Sequence, residues 1–560
     1  MPERIVLVGY GTVGARFVEE LLPAVRSGAV ALTVVGAEAS DAYNRVLIAE
    51  YAVGKADREA LEMTDAEQAR EAGVRILTGT SATSINRTRH TLTLSSGEEL
   101  PYDRLVLATG ARANVPTLDG VTRLRRELMK PSTDATALDT AEAPLPRGVT
   151  VLRDLDDART VLAAVEEGKR IVVLGAGVLG MELALAAARA GNETCVVYHS
   201  ESPMDRNLDR GGGAVLARSA RRAGVTMVNH SRAETVLCHL DDDGTMRFDA
   251  LVCADGKQIN GDLLVLSCGV HARTELAYLS GLAVSTGVLV DEELRSWTDS
   301  DIYAIGDCAH VAERPAPGAS KALPAGGPSG LVGPGWRQAD WLAARFIADL
   351  DFARSTVGGA RSTVGATGEA DAGGYVERGA SVVMLKAEGV DVAAAGQINR
   401  EPWDLDLDED RDHADGCAVA TTSVSQWADP EHGRYVKMVT RDGILEGFVC
   451  VGMPRTAAEL TLLFERRSEL PADRSVLLRY DGPDYDPSAS GDSFAPTATV
   501  CWCNGVTVGA IAESASAGNT TVACISSATR AGTGCGGCKG RIGEVLDRFA
   551  QAEGPQELVV

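Results

Sequence analysis

Two stretches, "RIVLVGYGTVG" at residues 4–14 and "RIVVLGAGVLG" at residues 170–180, constrain this chain more than any other feature. Each is a short apolar, β-branched run that breaks into three glycines and then opens a helix-forming segment. In the first, Gly9, Gly11 and Gly14 precede "ARFVEELLPAV", and a further apolar run, "ALTVVGAE", ends at Glu38. In the second, Gly175, Gly177 and Gly180 precede "MELALAAARAG", and the next strand-like run reads "TCVVYHSES". Strand, turn, helix, strand is the order a dinucleotide-binding unit requires. The first glycine makes the turn, the second lets the backbone approach a pyrophosphate, and the third lets helix and strand pack closely. The helix N-terminus then faces the phosphates, and Glu38 is placed to accept from ribose hydroxyls.

One such spacing carries little weight in a chain with 60 glycines, where chance alone produces it about once. Two copies in the same strand–turn–helix context carry far more, and they predict an α/β fold with two nucleotide units. The second unit does not choose its coenzyme. Tyr198, His199 and Ser200 stand where an acid would favour NAD, and no Arg follows at once to favour the 2′-phosphate of NADP. NADH and NADPH both stay open, with NADH placed slightly ahead.

At 560 residues the chain exceeds one ordinary core, so several domains are expected. A net charge of −24 argues against nucleic-acid and anionic-membrane partners, which need clustered Lys and Arg. "MPERIVLVGYG" runs straight into a glycine turn, without the features of a secretory leader. The apolar run over residues 171–191 is interrupted by glycines and by Glu182, so it does not read as a membrane span. The expectation is a cytoplasmic, reducing setting, in which paired cysteines serve as metal ligands more often than as disulfides.

Two further stretches extend the pattern. "YDRLVLATGARANVP" is a strand ending in Thr109 and Gly110, and "TDSDIYAIGDCAH" is another, closing at Gly306 and Asp307. With these in place, residues 1–350 resemble the flavoprotein family of pyridine-nucleotide-dependent reductases with two dinucleotide-binding domains. The resemblance implies that the first glycine unit, the A-T-G strand and the late G-D pair touch FAD, and that the second unit is an inserted NAD(P)H domain. Disulfide reductases of this fold keep a redox cysteine soon after the second strand. Here "SDAYNRVLIAEYAVG" has none, so a thiol relay is not expected. That stretch resembles assimilatory nitrite reductase large subunits and nitrate reductase electron-transfer subunits, which implies Tyr43 and Arg45 against FAD and Glu182 near the nicotinamide. "VLSCGVHARTELA" and "GLVGPGWRQADWLAARF" follow the same branch, with Trp336 either a flavin contact or a core anchor.

The tail carries "CWCNGVTVGA" and "AGTGCGGCKG", a C-x-C and a C-x-x-C. Four thiolates suit zinc as well as iron, although zinc ribbons usually pair two C-x-x-C knuckles. The tail resembles the 2Fe–2S domain of the bacterioferritin-associated ferredoxin type, down to "TRAGTGCGGCK". That resemblance implies Cys501, Cys503, Cys535 and Cys538 as cluster ligands and leaves Cys524 as a buried helical residue.

The domain organisation expected is an FAD domain over 1–120 and 262–350, an NAD(P)H domain over 148–261, and a linker over 351–377. An α/β interface domain over 378–478, a Pro-, Ser-, Gly- and Asp-rich linker over 479–498, and a small helical 2Fe–2S domain over 499–552 follow. "VTRLRRELMKPSTDATALDTAEAPLPRG" reads as an added surface loop, and "EPWDLDLDEDRDHADG" as a solvated acidic loop. The resemblance implies an NAD(P)H-dependent electron-transfer flavoprotein whose acceptor is a separate protein. First choice is a molybdenum-containing assimilatory nitrate reductase catalytic subunit. The alternatives are a sirohaem nitrite reductase, a general ferredoxin or rubredoxin reductase, and a flavin- and zinc-binding scaffold without turnover. No side-chain catalyst is named.

Overall fold

The structure is a computed structural model that describes residues 1–121, 145–314, 324–358, 374–375, 382–387, 389–404, 422–481, 494–496, 498–501, 506–532 and 538–553. Most of the expected loop over 121–148, the "ARSTVGGARSTVG" repeat after its first residues, residues 405–416 of the acidic run, and Cys503 and Cys535 lie outside them.

The first glycine stretch folds as β1 (Glu3–Val8), running into α1 (Thr12–Arg26) and then β2 (Val30–Val35). With β3 (Arg75–Leu77), β4 (Arg104–Leu107) and the late strand Ile302–Ala304 they make a parallel sheet. Its order is Ile302–Ala304, β4, β1, β2, β3. Ile5 and Leu7 on β1 and Leu105 and Val106 on β4 are fully buried, as a sheet covered on both faces demands.

The second unit repeats the plan. β5 (Val149–Val151), α2 (Leu155–Glu166), β6 (Ile171–Leu174), α3 (Val178–Arg189), β7 (Thr194–Val197), α4 (Arg210–Arg222), β8 (Val225–Val228) and β9 (Leu263–Leu266) follow in chain order. The strands form a second parallel sheet in the order β8, β7, β6, β9, β5. α2 begins in a capping box in which Asp154 and Asp157 satisfy each other's backbone N–H groups. β9 corrects the expected boundary at residue 261. It pairs with β6 and β5 of the second sheet, so the chain returns to the first unit only after Leu266. The long helix α5 (Val332–Gly358) packs against α1, and its backbone continues eight residues into the stretch expected as linker.

The third body is a five-stranded antiparallel sheet of β10 (Val383–Ala387), β11 (Val390–Gly396), β12 (Thr422–Asp429), β13 (Arg434–Arg441) and β14 (Ile444–Val451), with α6 (Pro454–Arg466) on one face. Alternate residues of β11 serve two cores. Ala393 and Ala395 meet the α6 side, while Val392 and Ala394 join the core of the second nucleotide unit. Burial on both faces explains why β13 is buried from Tyr435 to Thr440 instead of alternating. Lys437 falls inside it, fully buried.

The tail folds as three helices, α7 (Val508–Ser516), α8 (Val522–Thr529) and α9 (Lys539–Glu553), around Ile511, Ile525 and Ile542. Among the described residues no helix is long and apolar enough to cross a membrane.

Candidate cofactor cleft and cluster site

Both glycine units reach the same local geometry. Gly9 has φ +111° and Gly175 φ +113°, and a Cβ on either would sit 2.1 Å from the carbonyl oxygen of Ala108 or Ser267 on the neighbouring strand. Only glycine tolerates that conformation and that approach. A Cβ on Gly14 would lie 2.2 Å from the Gly9 oxygen, and one on Gly180 lies equally close to the Gly175 oxygen. The middle glycines are different. Gly11 and Gly177 are the N-caps of α1 and α3 with no side-chain cap, and a Cβ on Gly177 would meet nothing within 4 Å. The space in front of each helix N-terminus is thus left open, with unpaired N–H groups facing it.

A cleft of about 2380 Å³ opens before the first unit. Gly9, Gly11, Glu38, Arg45, Thr109, Gly110, Gly306 and Asp307 line it, as do Arg153, Arg273, Trp336 and, from α3, Val178 and Glu182. The structure therefore brings Gly9, Gly11, Glu38, Arg45, Thr109, Gly110, Gly306 and Asp307 together with Glu182, while Gly14 packs against the Gly9 carbonyl and Tyr43 stands behind Glu38. Gly175, Gly177 and Gly180 stand apart, on the second sheet. Met384, Gly396 and Phe464 of the third body and Thr529 and Arg530 of the tail complete the wall. Lys and Arg outnumber Asp and Glu along this lining on a chain of net charge −24, which favours an anionic ligand there.

The polar groups at its centre form one chain of contacts. Glu38, just past β2, accepts from the Tyr43 hydroxyl at 2.7 Å and pairs with the Arg45 guanidinium. Arg45 Nη1 donates to the Arg153 carbonyl at 2.9 Å, and Arg153 Nη2 donates to Asp307 at 3.1 Å. Arg153 Nε donates to the Ala111 carbonyl at 3.1 Å. Burial pushes the Tyr43 hydroxyl well above its usual range, with the Arg45 charge opposing and the Glu38 carboxylate assisting. Burial also lowers the Arg153 pKa, against the attraction of Asp307 and with Arg45 adding to the fall. Two guanidiniums held beside two carboxylates, facing a helix N-terminus, match a pyrophosphate linked to ribose: cations for the phosphates, acceptors for the hydroxyls.

Thr109 Oγ1 donates to the Arg273 carbonyl at 2.9 Å, and Gly306 N donates to Gln338 on α5 at 2.7 Å. The Trp336 indole, buried, donates to the Thr12 carbonyl at 3.2 Å, so it anchors α5 to α1 as well as lining the cleft. Cys308, beside Asp307, is fully buried and its thiol is pushed up by that burial, which makes it inert. Arg153 was not among the residues singled out from sequence. Its signal was an arginine in "VLRDLDDA", between a strand and a capping box, and nothing local links it to Asp307.

In the tail, Cys501 is buried at the end of the strand Thr499–Cys501, and Cys538 precedes α9, where its carbonyl accepts from Ile542 N at 2.9 Å. Both residues pack on the same small core. A donor set of thiols beside a helix N-terminus suits a thiophilic metal centre, and Cys501 and Cys538 fit that role. Cys503 and Cys535 lie outside the described residues, among which no three potential ligands converge. Cys524 is a correction: α8 turns Ile525 inward, and the preceding position, Cys524, is exposed.

Residues 3–324 match the pyridine nucleotide-disulphide oxidoreductase family, and residues 499–548 match the BFD-like [2Fe-2S] binding domain. The chain is 26% identical over 550 residues to "Nitrite reductase [NAD(P)H]" of Bacillus subtilis, covering 97% of this chain and 57% of that protein. It is 24% identical over 554 residues to "Assimilatory nitrate reductase electron transfer subunit" of the same organism, covering 98% and 60%. It spans less than two thirds of either relative's length. Among solved structures, the covalent putidaredoxin reductase–putidaredoxin complex superposes with a TM-score of 0.63 at 21% identity, covering 85% of this chain and 95% of that one, which supports the fold. With the two nucleotide units and the cleft between them, these matches show that the chain belongs to the pyridine nucleotide-disulphide oxidoreductase family, as an FAD- and NAD(P)H-using oxidoreductase with a C-terminal BFD-like [2Fe-2S] domain.

Proposed function

We propose that the chain carries reducing equivalents from NAD(P)H, through FAD and a 2Fe–2S cluster, to a separate catalytic partner, the molybdenum subunit of an assimilatory nitrate reductase. The observation that carries the reading is the shared cleft, whose wall is built by both nucleotide units and by the tail that holds the cysteines. When bound, FAD would supply the conversion between a two-electron hydride donor and the one-electron transfers that a 2Fe–2S centre requires.

The chain's own residues do the binding and positioning. Gly9, Gly11 and Gly14 give the FAD pyrophosphate access to the α1 N-terminus, Arg45 and Arg153 supply its counter-charge, and Glu38 and Asp307 accept hydroxyls. Tyr43 holds Glu38 in place, while Thr109 and Gly110 shape the wall beside Arg273. Gly175, Gly177 and Gly180 do the same for the coenzyme at α3, and Glu182 sits where the two cofactors would meet. Cys501, Cys503, Cys535 and Cys538 hold the cluster. These roles require orientation rather than a side-chain acid or base.

Anaerobic titration with NADH and NADPH separately tests the electron path: flavin bleaches first, then a rhombic paramagnetic signal of one reduced cluster per chain grows in. A yellow protein with stoichiometric zinc would refute it. A second reading, the reductase component of a split nitrite reductase, is favoured by relatives of that name at 26% and 29% identity. Co-purification separates the two, since a sirohaem protein in place of a molybdenum protein would overturn the first.

A further inference from the structure

The tail meets the first nucleotide unit at Arg530. Arg530 Nη2 lies 2.5 Å from Glu19 and 3.4 Å from Glu20, both on α1, and Arg530 and Glu19 are each about three-quarters buried. Glu20 also lies 3.5 Å from Arg16, which is bound to Asp340 on α5 by two hydrogen bonds. The docking point is therefore a built charge network. Arg530 closes α8 in the left-handed region, φ +64°, where glycine is the usual occupant, so an arginine stands at a position whose backbone does not favour it. It lies five residues before Cys535 and lines the same cleft as Gly11 and Asp307.

We propose that Arg530 is a positioning residue: its ion pairs with Glu19 and Glu20 dock the cluster domain at the mouth of the flavin cleft, and their opening frees the domain to face an external acceptor. The proposal rests on the electron path above. Docking is intramolecular, because the cluster domain and the body belong to one chain. An intramolecular contact needs less affinity than one between separate molecules, so a weak contact suffices to populate the docked state and a small change empties it. Two ion pairs on a guanidinium that keeps about a quarter of its surface in water are of the right size for such a reversible contact, and salt weakens them.

The test uses the full-length holoprotein, with Arg530→Glu, Arg530→Gly and the swap Arg530→Glu with Glu19→Arg. Arg530→Gly suits the backbone and keeps the fold while deleting the charge. Two quantities are read: the radius of gyration by small-angle scattering in low salt, and the rate of cluster reduction after mixing with NAD(P)H. The expected result for both single variants is an expanded particle and cluster reduction slowed about tenfold relative to the flavin reduction of the same variant, with iron content retained. The swap restores both. Unchanged scattering and unchanged cluster reduction in Arg530→Glu and Arg530→Gly would overturn the latch. If the expansion and its rescue occur while the wild-type cluster never accepts electrons, the latch stands and the electron path falls.

Discussion

Lys437 offers the sharpest test of how the second nucleotide unit is held to the third body. Its side chain is 0% exposed, and Nζ lies 3.2 Å from Asp209 on one side and 3.2 Å from Glu401 on the other. Asp209 is itself 6% exposed at its side chain, caps α4 through Gly212 N, and accepts from the Tyr435 hydroxyl. Lys437→Met keeps the length and apolar stem of the side chain but leaves the Asp209 carboxylate buried with only neutral donors. Removing one partner of a buried pair costs about 3–5 kcal/mol, whereas removing both is often close to neutral. With a urea slope near 3 kcal/mol per molar, the midpoint falls by about 1–1.7 M. Urea unfolding followed by tryptophan fluorescence suits the measurement, because Trp427 lies on β12 beside β13. Asp209→Ser keeps a helix cap without the charge, so adding it to Lys437→Met should recover more than half of the loss. A single variant that loses less than about 1 kcal/mol, or a double that loses the sum of both singles, would refute the account of a desolvated pair.

The glycines should separate stability from binding: Gly180→Ala collides with the Gly175 carbonyl and should cost roughly 1–3 kcal/mol, while Gly177→Ala should change stability by about 0.5 kcal/mol or less yet weaken NADH binding, as thermal melts and coenzyme titration would show. Arg153→Ala removes a charged donor from the flavin cleft and strands Asp307, so FAD affinity of the deflavinated protein should fall about tenfold to a hundredfold in a fluorescence titration. Cys501→Ser or Cys538→Ser should strip iron from the tail while leaving flavin content intact, read by iron assay and visible absorption; full iron retention would reject that residue as a ligand.

Chemistry compressed into a few neighbouring residues was readable from the chain alone. The Gly9–Gly14 and Gly175–Gly180 approaches each close within five residues, so the spacing carries that part of the geometric requirement, although Gly9 and Gly175 also press against Ala108 and Ser267 far along the chain. By resemblance, the order of the four motifs pointed to an FAD unit with an inserted coenzyme unit, and the small helical domain expected at the tail matches α7, α8 and α9. What only the tertiary structure decided are contacts between residues far apart in sequence. Arg45 meets the Arg153 carbonyl across 108 residues, and Lys437 meets Asp209 across 228. The placement of β9 in the second sheet and of Arg530 on α1 is of the same kind. An arginine or lysine reads locally as a solvated cation, since nothing near it in the chain records its burial or its partner. Folding supplies both, by removing the charge from water and setting an opposite charge against it.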